Sequence, residues 1–366
     1  MLSLRSFWRR HKRKVFVTVG VVGSGYFLYK LYDTHRRSLA DLERQLAHER
    51  ENEELVKTQM QAHFENIQRI ADTMTLPHAM HFLNGQIAEE LDHSDLIEKL
   101  MRAKGQLSNS EKLELWDRLK ILSFTRIVLS IWTVSMISLY IRVQVNIVGR
   151  HLYIDTARGL GSSDLLEDAD LIDWDDLKKF LASADFVANN GLSGLLSSIQ
   201  AVTTEVLKGR QLRDTFNTTA LQDTILQILD MFMGGGHSQH WVDYMMPKDD
   251  TLHKLGTDAG GDIEVPPSIT KFDQLMMEAR TVLSSAEFRG VAEASLKVLV
   301  DALVGDVAVD GNLTSGMPLV KLLPRVAQMG APLFVEPSEN RYIERIRHIP
   351  EVETFFTLLY ANMPVM

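Results

Sequence analysis

Hydrophobic positions along this chain recur at helical spacing, and two fifteen-residue runs, 15–29 and 127–141, carry no charge at all. No segment shows the alternation of a half-buried strand. The predicted fold class is therefore all-α: a large, elongated helical bundle on a single N-terminal transmembrane helix. Apolar residues three and four apart predict helices from Pro77, over 93–102, from Glu111 past Val148, and over 173–184, 192–207, 215–233, 271–283, 286–304, 319–327 and 352–363. Clusters of Gly, Pro and Asp predict loops at 234–236, 247–267, 305–318 and 330–337.

The first uncharged run is the candidate membrane anchor. As a helix it spans about 22 Å, which is short of the roughly 30 Å hydrocarbon core of a bilayer. Adding residues 30–32, with Lys30 reaching back to the headgroups, extends the helix to about 27 Å. Residues 15–32 are therefore predicted to span the membrane, with an apolar surface made of Val15, Phe16, Val17, Val19, Val21, Val22, Tyr26, Phe27, Leu28 and Tyr29.

Charge is distributed unevenly along the chain. Residues 1–37 hold nine Lys or Arg against one acid, Asp33, whereas the remainder holds 30 bases and 47 acids. A basic head on an acidic body indicates contact with anionic lipid or nucleic acid, and the apolar run that follows favours lipid. We interpret residues 1–14 as a basic targeting segment that includes Arg9, Arg10, Lys12, Arg13 and Lys14.

Two other interpretations of the apolar run remain open. A cleaved signal peptide also has a basic start and an apolar stretch, but no Ala-x-Ala-like site follows here. A dinucleotide-binding loop is indicated by Gly23 and Gly25, although Leu28 occupies the third glycine position of that fingerprint. The membrane anchor accounts best for the basic cluster that precedes the run.

The remainder divides into a stalk and a domain. Residues 33–74 are charged and contain no Gly or Pro, which predicts a long solvated helix leading from the membrane. Residues 75–366 are predicted to form a helical-bundle domain. Within it, the uncharged run 127–141 is either a second span or a buried core helix. Its length, and hydroxyls such as Ser130 and Thr133 that a bundle could satisfy, favour the core.

Candidate chemistry is sparse. The chain has no cysteine, which excludes disulfides, thiolate zinc sites and thiol nucleophiles. His78 and His81, and likewise His237 and His240, are spaced three apart as zinc ligands can be, but no third ligand is in register. The acidic stretch 164–176 lacks the glycine of a calcium loop and is interpreted as an acidic helix start. We therefore expect no cofactor, no metal and no enzymatic activity, with a membrane-anchored metal-dependent enzyme as the alternative.

Trp116 is the most notable aromatic residue of the predicted domain. It lies beside the apolar face of a helix whose other neighbours are charged, among them Lys112 and Asp117. A rigid aromatic side chain in that position can anchor a partner helix. The same pattern also fits an ordinary tryptophan at the edge of a core, and the spacing alone leaves both interpretations open.

Residues 112–126 read Lys-Leu-Glu-Leu-Trp-Asp-Arg-Leu-Lys-Ile-Leu-Ser-Phe-Thr-Arg. This segment resembles the signature of the peroxin-three family of peroxisome-biogenesis docking factors. Further similar segments occur in family order from the basic start to the C-terminal part of the chain. They are residues 10–14, 63–66, 142–149, 244–247 and 317–324.

The resemblance implies a peroxisomal membrane protein with an N-terminal anchor and a cytosolic bundle. It further implies that the bundle acts as a receptor for peroxin-nineteen, the soluble chaperone that carries new peroxisomal membrane proteins. The chaperone's amphipathic helix would then lie in an apolar groove centred on Trp116. By position, the resemblance assigns the remainder of this groove to Leu119, Leu100, Ile97 and Lys112.

Orientation is a point on which the resemblance and a general rule differ. The positive-inside rule predicts a cytosolic N-terminus, whereas the family resemblance implies that the N-terminus faces the organelle interior. Because that rule describes insertion at the secretory translocon, we favour the orientation that the family implies. The expected contacts are thus peroxin-nineteen, the lipids of the peroxisomal membrane and, indirectly, cargo proteins, with no nucleic acid. Tethering of other organelle-associated proteins is a further alternative.

Overall fold

The computed structural model describes residues 75–91, 108–161, 174–235, 240–247, 270–310, 313–336 and 339–361, with isolated positions between 48 and 99. Two compact units are distinguished, Met1–His63 and Phe64–Met366. The predicted targeting segment 1–14 and the predicted anchor 15–32 lie outside the described residues, and so does most of the predicted stalk 33–74. Those assignments stay predictions, and the structural account below concerns the second unit.

The second unit is all-α, as its sequence pattern predicts. Its described helices pack around one long helix, and two strands of two residues form an antiparallel pair. In chain order these are α1 (Leu76–Glu90), α2 (Asn109–Gly161), α3 (Trp174–Ala182), α4 (Leu192–Val206), β1 (Thr215–Phe216), α5 (Thr218–Gly234), α6 (Val242–Met245), α7 (Lys271–Leu283), α8 (Ala286–Asp310), β2 (Met317–Pro318), α9 (Leu319–Gln328), α10 (Arg341–Arg347) and α11 (Pro350–Ala361). A π-turn, Val187–Gly191, precedes α4, and a 3₁₀ turn, Ala331–Phe334, follows α9.

Helix α2 is the axis of the bundle. It is 53 residues long, and α1, α4, α7, α8, α9 and α11 all pack against it. Every residue of the uncharged run 127–141 is buried, including the large side chains of Trp132 and Tyr140. Among the described residues this is the one helix long and apolar enough to cross a membrane, yet 83% of its most apolar window is buried in the bundle. The interpretation of this run as a core helix is confirmed.

The buried hydroxyls of α2 are only partly satisfied. Thr133 donates to the Leu129 carbonyl at 2.7 Å, so this hydroxyl is satisfied within the bundle as predicted. The hydroxyls of Ser135 and Ser138 are also buried, and no hydrogen-bond partner for them lies among the described residues.

Other boundaries differ from the sequence pattern for identifiable reasons. Helix α8 continues through Gly305 to Asp310, because an isolated glycine costs a helix only about 1 kcal/mol and the apolar face continues beyond it. Helix α10 falls in a stretch that the pattern leaves unassigned; it is seven residues long and is capped by Asn340, which accepts from the amides of Tyr342 and Ile343. The predicted helix 215–233 begins later, at Thr218, because β1 takes the first two residues to pair with β2.

Packing at the π-turn supplies the first prediction. A Cβ added to Gly191 would overlap the carbonyl oxygen of Tyr244, which is backbone and cannot move aside easily. Gly191→Ala should therefore destabilise the bundle by about 1–3 kcal/mol, measured as a lowered thermal midpoint of the detergent-purified full chain. Gly290→Ala is the matched control, because Gly290 lies within α8 with open space around its Cα. That control should stabilise the chain by up to about 1 kcal/mol, and equal midpoints for the two variants would contradict this account of the packing.

Candidate partner-binding site at the start of the central helix

A capping box fixes the first turn of α2. The Ser108 amide and hydroxyl both donate to the Glu111 carboxylate at 2.8 Å, and the Glu111 amide donates back to the Ser108 hydroxyl at 3.2 Å. The cap is therefore Ser108, and Asn109 and Ser110 are the first two helical residues. The hydrogen bonds from Ser108 lower the pKa of Glu111, so its carboxylate is charged at neutral pH next to the positive end of the helix.

The next two turns carry the predicted groove residues on α2. Trp116 is partly buried and packs against the edge of the core, while Leu119, one turn on, is 6% exposed. Lys112 is partly exposed one turn before Trp116. Leu113 is 56% exposed, the opposite of what an apolar face packed into a core would show. The predicted groove residues Ile97 and Leu100 lie outside the described residues, so the opposite wall of that groove stays a prediction.

A cleft opens on the Leu113 side of the helix. Its volume is about 640 Å³, and it separates α2 from the turn that follows α4. Helix geometry puts Leu113, Asp117 and Lys120 in one row, with Trp116 about 60° around the helix from that row. Trp116 thus lies next to this row on the helix and does not itself line the cleft. The lining residues are Leu113, Asp117, Lys120, Gly209, Arg210, Gln211, Leu212 and Arg213.

Lys120 fixes the two walls of this cleft relative to each other. Its ammonium group is buried and donates to the Asp117 carboxylate at 3.0 Å and to the Arg210 carbonyl at 2.8 Å. The charge of Lys120 is therefore balanced by the Asp117 carboxylate, and the Arg210 carbonyl accepts a charge-assisted hydrogen bond from the ammonium group. Since Lys120 is followed by a long buried helix, the turn is held against a rigid element.

The turn is further held by the start of α9. The Leu319 amide donates to the Asp214 carbonyl and the Val320 amide to the Leu212 carbonyl, both at 2.9 Å. Gly209 has φ +84°, the left-handed conformation in which glycine commonly ends a helix. The guanidinium of Arg210 lies 5.9 Å from the ring centre of the buried Phe216. These contacts present Arg210 and Arg213 to solvent at the rim of a well-defined cleft.

The histidines that the structure describes do not form a metal site. His78 and His81 are exposed on α1, and His240 packs between the rings of Phe232 and Tyr244 with centroid distances of 5.4 and 6.3 Å. Burial lowers the pKa of His240, with Asp243 opposing the shift, so its ring is neutral at pH 7. His237 lies outside the described residues, and within them no three His, Asp or Glu side chains cluster as metal ligands do.

The acidic stretch 164–176 is described only at its end. Asp175 and Asp176 lie in the first turn of α3, and Asp175 pairs with Lys179 one turn later at 2.7 Å. The hydrogen bond from Lys179 is the main reason that the pKa of Asp175 is lowered. For these two residues the interpretation as an acidic helix start is confirmed, and residues 164–173 lie outside the described part.

The second wall of the cleft was not predicted from the sequence. Arg210 and Arg213 are about ninety residues from Trp116, and nothing in the α2 pattern points to them. A signal was nevertheless present, because Lys208, Arg210 and Arg213 bring three bases within six residues to an otherwise acidic body. The exposure of Leu113 also went unrecognised, because helical spacing groups it with its buried apolar neighbours.

The fold and the cleft define an all-α bundle protein that keeps an amphipathic cleft open at the start of a single long axial helix. The Peroxin-3 family model matches residues 101–362, and this chain belongs to that family. Membership supports a role in peroxisome biogenesis and agrees with a non-enzymatic protein.

Similar proteins span the whole chain. Peroxisome biogenesis protein 3-2 of Arabidopsis thaliana is 56% identical over 365 residues and covers 99% of both chains. Peroxisome biogenesis protein 3-1 of the same plant is 56% identical over 362 residues, again with 99% of both chains covered. Peroxisomal biogenesis factor 3 of Homo sapiens is 27% identical over 387 residues, with 98% of this chain and 97% of the human chain aligned.

The capping box generates a pH prediction. A carboxylate with a lowered pKa in the folded state stabilises that state at neutral pH, and the stabilisation disappears as pH falls through the folded pKa. Hydrogen-exchange protection of the first turn of α2 should therefore decrease on acidification below the ordinary range of a glutamate. Glu111→Gln should show the reduced protection already at pH 7. Glu114→Gln is the control on the same exposed stretch and should exchange like the unmodified chain; a loss of protection in both variants would argue against the cap.

Proposed function

We propose that this chain is a membrane receptor that docks cargo-loaded peroxin-nineteen through the start of α2. Its membership of the Peroxin-3 family supports the peroxisomal setting. The specific partner is the one that the family resemblance implies for the groove centred on Trp116. The docked segment is an amphipathic helix whose apolar side covers Leu113 and Trp116.

One observation carries the proposal: an exposed leucine and a half-buried tryptophan lie side by side at the start of a helix whose later turns are buried in the core. The Ser108–Glu111 cap defines where this helix begins. A partner helix therefore loses little binding free energy to ordering this surface. Tryptophan is also the residue type that most often dominates binding at protein interfaces.

The charges around the cleft are consistent with an amphipathic partner. The Asp117 carboxylate is paired with Lys120, so the acidic member of the lining is neutralised. Arg210 and Arg213 remain as exposed cations on one rim, and Lys112 lies one turn before Trp116 on the other side. A helix with an apolar stripe flanked by acidic side chains would match both the apolar surface and the exposed cations. The charges would mainly set the orientation and the association rate of this helix.

The proposal includes a membrane anchor. Residues 15–32 would span the peroxisomal membrane once, with the bundle in the cytosol and the basic segment 1–14 on the inner side. A docking cleft tethered to the membrane raises the local concentration of the chaperone's cargo at the bilayer, which a soluble receptor could not do. The family resemblance and the basic head followed by the apolar run support this arrangement.

Two alternatives lead to different measurements. A membrane-anchored metal-dependent enzyme rests on the histidine pair at 237 and 240, and stoichiometric zinc in the purified chain would support it. A tether for other organelle-associated proteins would use the same cleft or another face. It would be favoured if peroxin-nineteen failed to bind while a cytoskeletal or degradation adaptor bound directly.

Truncating the indole should weaken docking strongly. We expect Trp116→Ala to cost about 2–4 kcal/mol of peroxin-nineteen binding, roughly thirty-fold to several hundred-fold in Kd, because it removes the large apolar side chain on which the proposed groove is centred. Titration calorimetry of the detergent-purified full chain with peroxin-nineteen measures the effect. Leu113→Ala should weaken binding less, by about 1 kcal/mol, since it removes a smaller side chain.

The control for both variants is Leu358→Ala on α11, because Leu358 is as exposed as Leu113, at 56%, but lies on another helix. This variant should bind like the unmodified chain. Circular dichroism should show the same helicity for all three proteins. Unchanged affinity of a folded Trp116→Ala protein for peroxin-nineteen would contradict the assignment of Trp116 to the binding groove.

Orientation can be tested on intact organelles. If the bundle faces the cytosol, external protease should digest an epitope placed after Met366 and should spare one placed before residue 15 until the membrane is permeabilised. Carbonate extraction should leave the full chain in the membrane pellet. Protection of the C-terminal epitope, or release of the chain by carbonate, would contradict the single-pass topology.

A further inference from the structure

A second cleft lies among the C-terminal helices. Its volume is about 310 Å³, and it is formed by α8, α9, the 3₁₀ turn and α10. The floor is apolar and the rim is polar, the combination typical of specific small sites. The lining residues are Leu303, Asp306, Val307, Arg325, Gln328, Met329, Pro332, Arg341 and Tyr342.

This cleft is separate from the site at Trp116. Met329 lines it, and the next residue, Gly330, packs against Ser130 of α2, where an added Cβ would lie 2.8 Å from the serine hydroxyl. Ser130 is fourteen residues beyond Trp116 on a continuous helix, a displacement of about 21 Å along its axis. No residue lines both clefts.

The acidic residue of the cleft is already neutralised. One oxygen of the Asp306 carboxylate accepts from the Arg341 guanidinium and from the Tyr342 hydroxyl, each at 2.5 Å. Burial, together with the hydrogen bond to Asp306, raises the pKa of Tyr342, so the phenol retains the proton that it donates. The guanidinium of Arg341 also lies 5.1 Å from the Tyr342 ring centre, which holds it in place. An incoming anion therefore meets a paired carboxylate and not a free negative charge.

Arg325 supplies the cation at the rim. It is exposed on α9, and among the described residues no carboxylate lies within ion-pair distance of its guanidinium. Gln328, one turn further along the same helix, adds an amide. Below these groups lie the buried side chains of Leu303 and Met329. A planar guanidinium above an apolar floor is suited to a carboxylate that is attached to an aliphatic group.

We infer that this cleft binds a short acidic–aliphatic peptide segment of a partner protein, with the carboxylate on Arg325 and the neighbouring aliphatic side chain on Leu303 and Met329. The volume is at the lower end of the roughly 300–1,000 Å³ range of ligand sites, which suits two adjacent side chains better than a nucleotide or a lipid. Charge complementarity selects the acid, because Asp306 is paired with Arg341 and the lining keeps one net positive charge, on Arg325.

The test uses the detergent-purified full chain and a defined panel of fluorescein-labelled hexapeptides. Each peptide carries a central glutamate flanked by Leu, Ile, Val or Phe, and each has a counterpart with glutamine in place of glutamate. Fluorescence anisotropy should show at least one glutamate peptide that binds at least tenfold more tightly than its glutamine counterpart. Arg325→Glu should abolish that preference, because it replaces the cation with a negative charge that repels the glutamate of the peptide.

Two controls separate this site from the docking cleft. Lys297→Glu makes the same charge reversal at an exposed position of α8 outside the cleft and should leave peptide binding unchanged. Trp116→Ala should also leave it unchanged, whatever its effect on peroxin-nineteen. The inference is overturned if no glutamate peptide is preferred over its glutamine counterpart. It is equally overturned if the folded Arg325→Glu protein, checked by thermal unfolding, retains the preference.

Discussion

The structure depends on the burial of one helix that is much longer than any helix available to cover it. At 53 residues α2 extends about 80 Å, whereas α8, the next longest described helix, has 25 residues and about half that length. No single neighbour can bury such a helix, so different helices cover successive stretches of it. Coverage is complete at the uncharged run 127–141 and decreases toward the first turns. An open apolar surface at the start of α2 follows directly from this mismatch in length.

Beyond the uncharged run, the buried residues of the same helix include polar and charged side chains. Arg150 is buried, donates to the Leu359 carbonyl at 3.2 Å and pairs with Glu278, which also contacts His151 at 2.9 Å. Burial lowers the pKa of Arg150, and the carboxylate partner offsets the cost of removing its charge from water. Such contacts tie α2 to α7 and α11 in one register.

Local signals account for the elements that sequence predicts well. Lys271–Leu283 is predicted to the residue because Thr270 and Asp273 form a capping box immediately before an amphipathic pattern. The short helix α10 is not predicted, because seven residues are too few to show the helical spacing of apolar positions, although its cap, Asn340, can be recognised in the sequence. In the candidate site, the residues within two turns of Trp116 leave two interpretations open: an anchor for a partner helix, or a tryptophan at the edge of the core. The opposing turn cannot be predicted at all, because the hydrogen bond from Lys120 to Arg210 joins positions ninety residues apart.

The charge distribution explains why arginines in clefts can select partners on this protein. Beyond residue 37 the chain carries 47 acids against 30 bases, so its overall field repels polyanions. That field is screened over about 8 Å at physiological ionic strength, and inside this distance Arg210, Arg213 and Arg325 act as local cations. A free polyanion is repelled at long range and gains nothing from the apolar lining. An apolar lining beside a few cations is complementary to a segment that carries both apolar and acidic side chains.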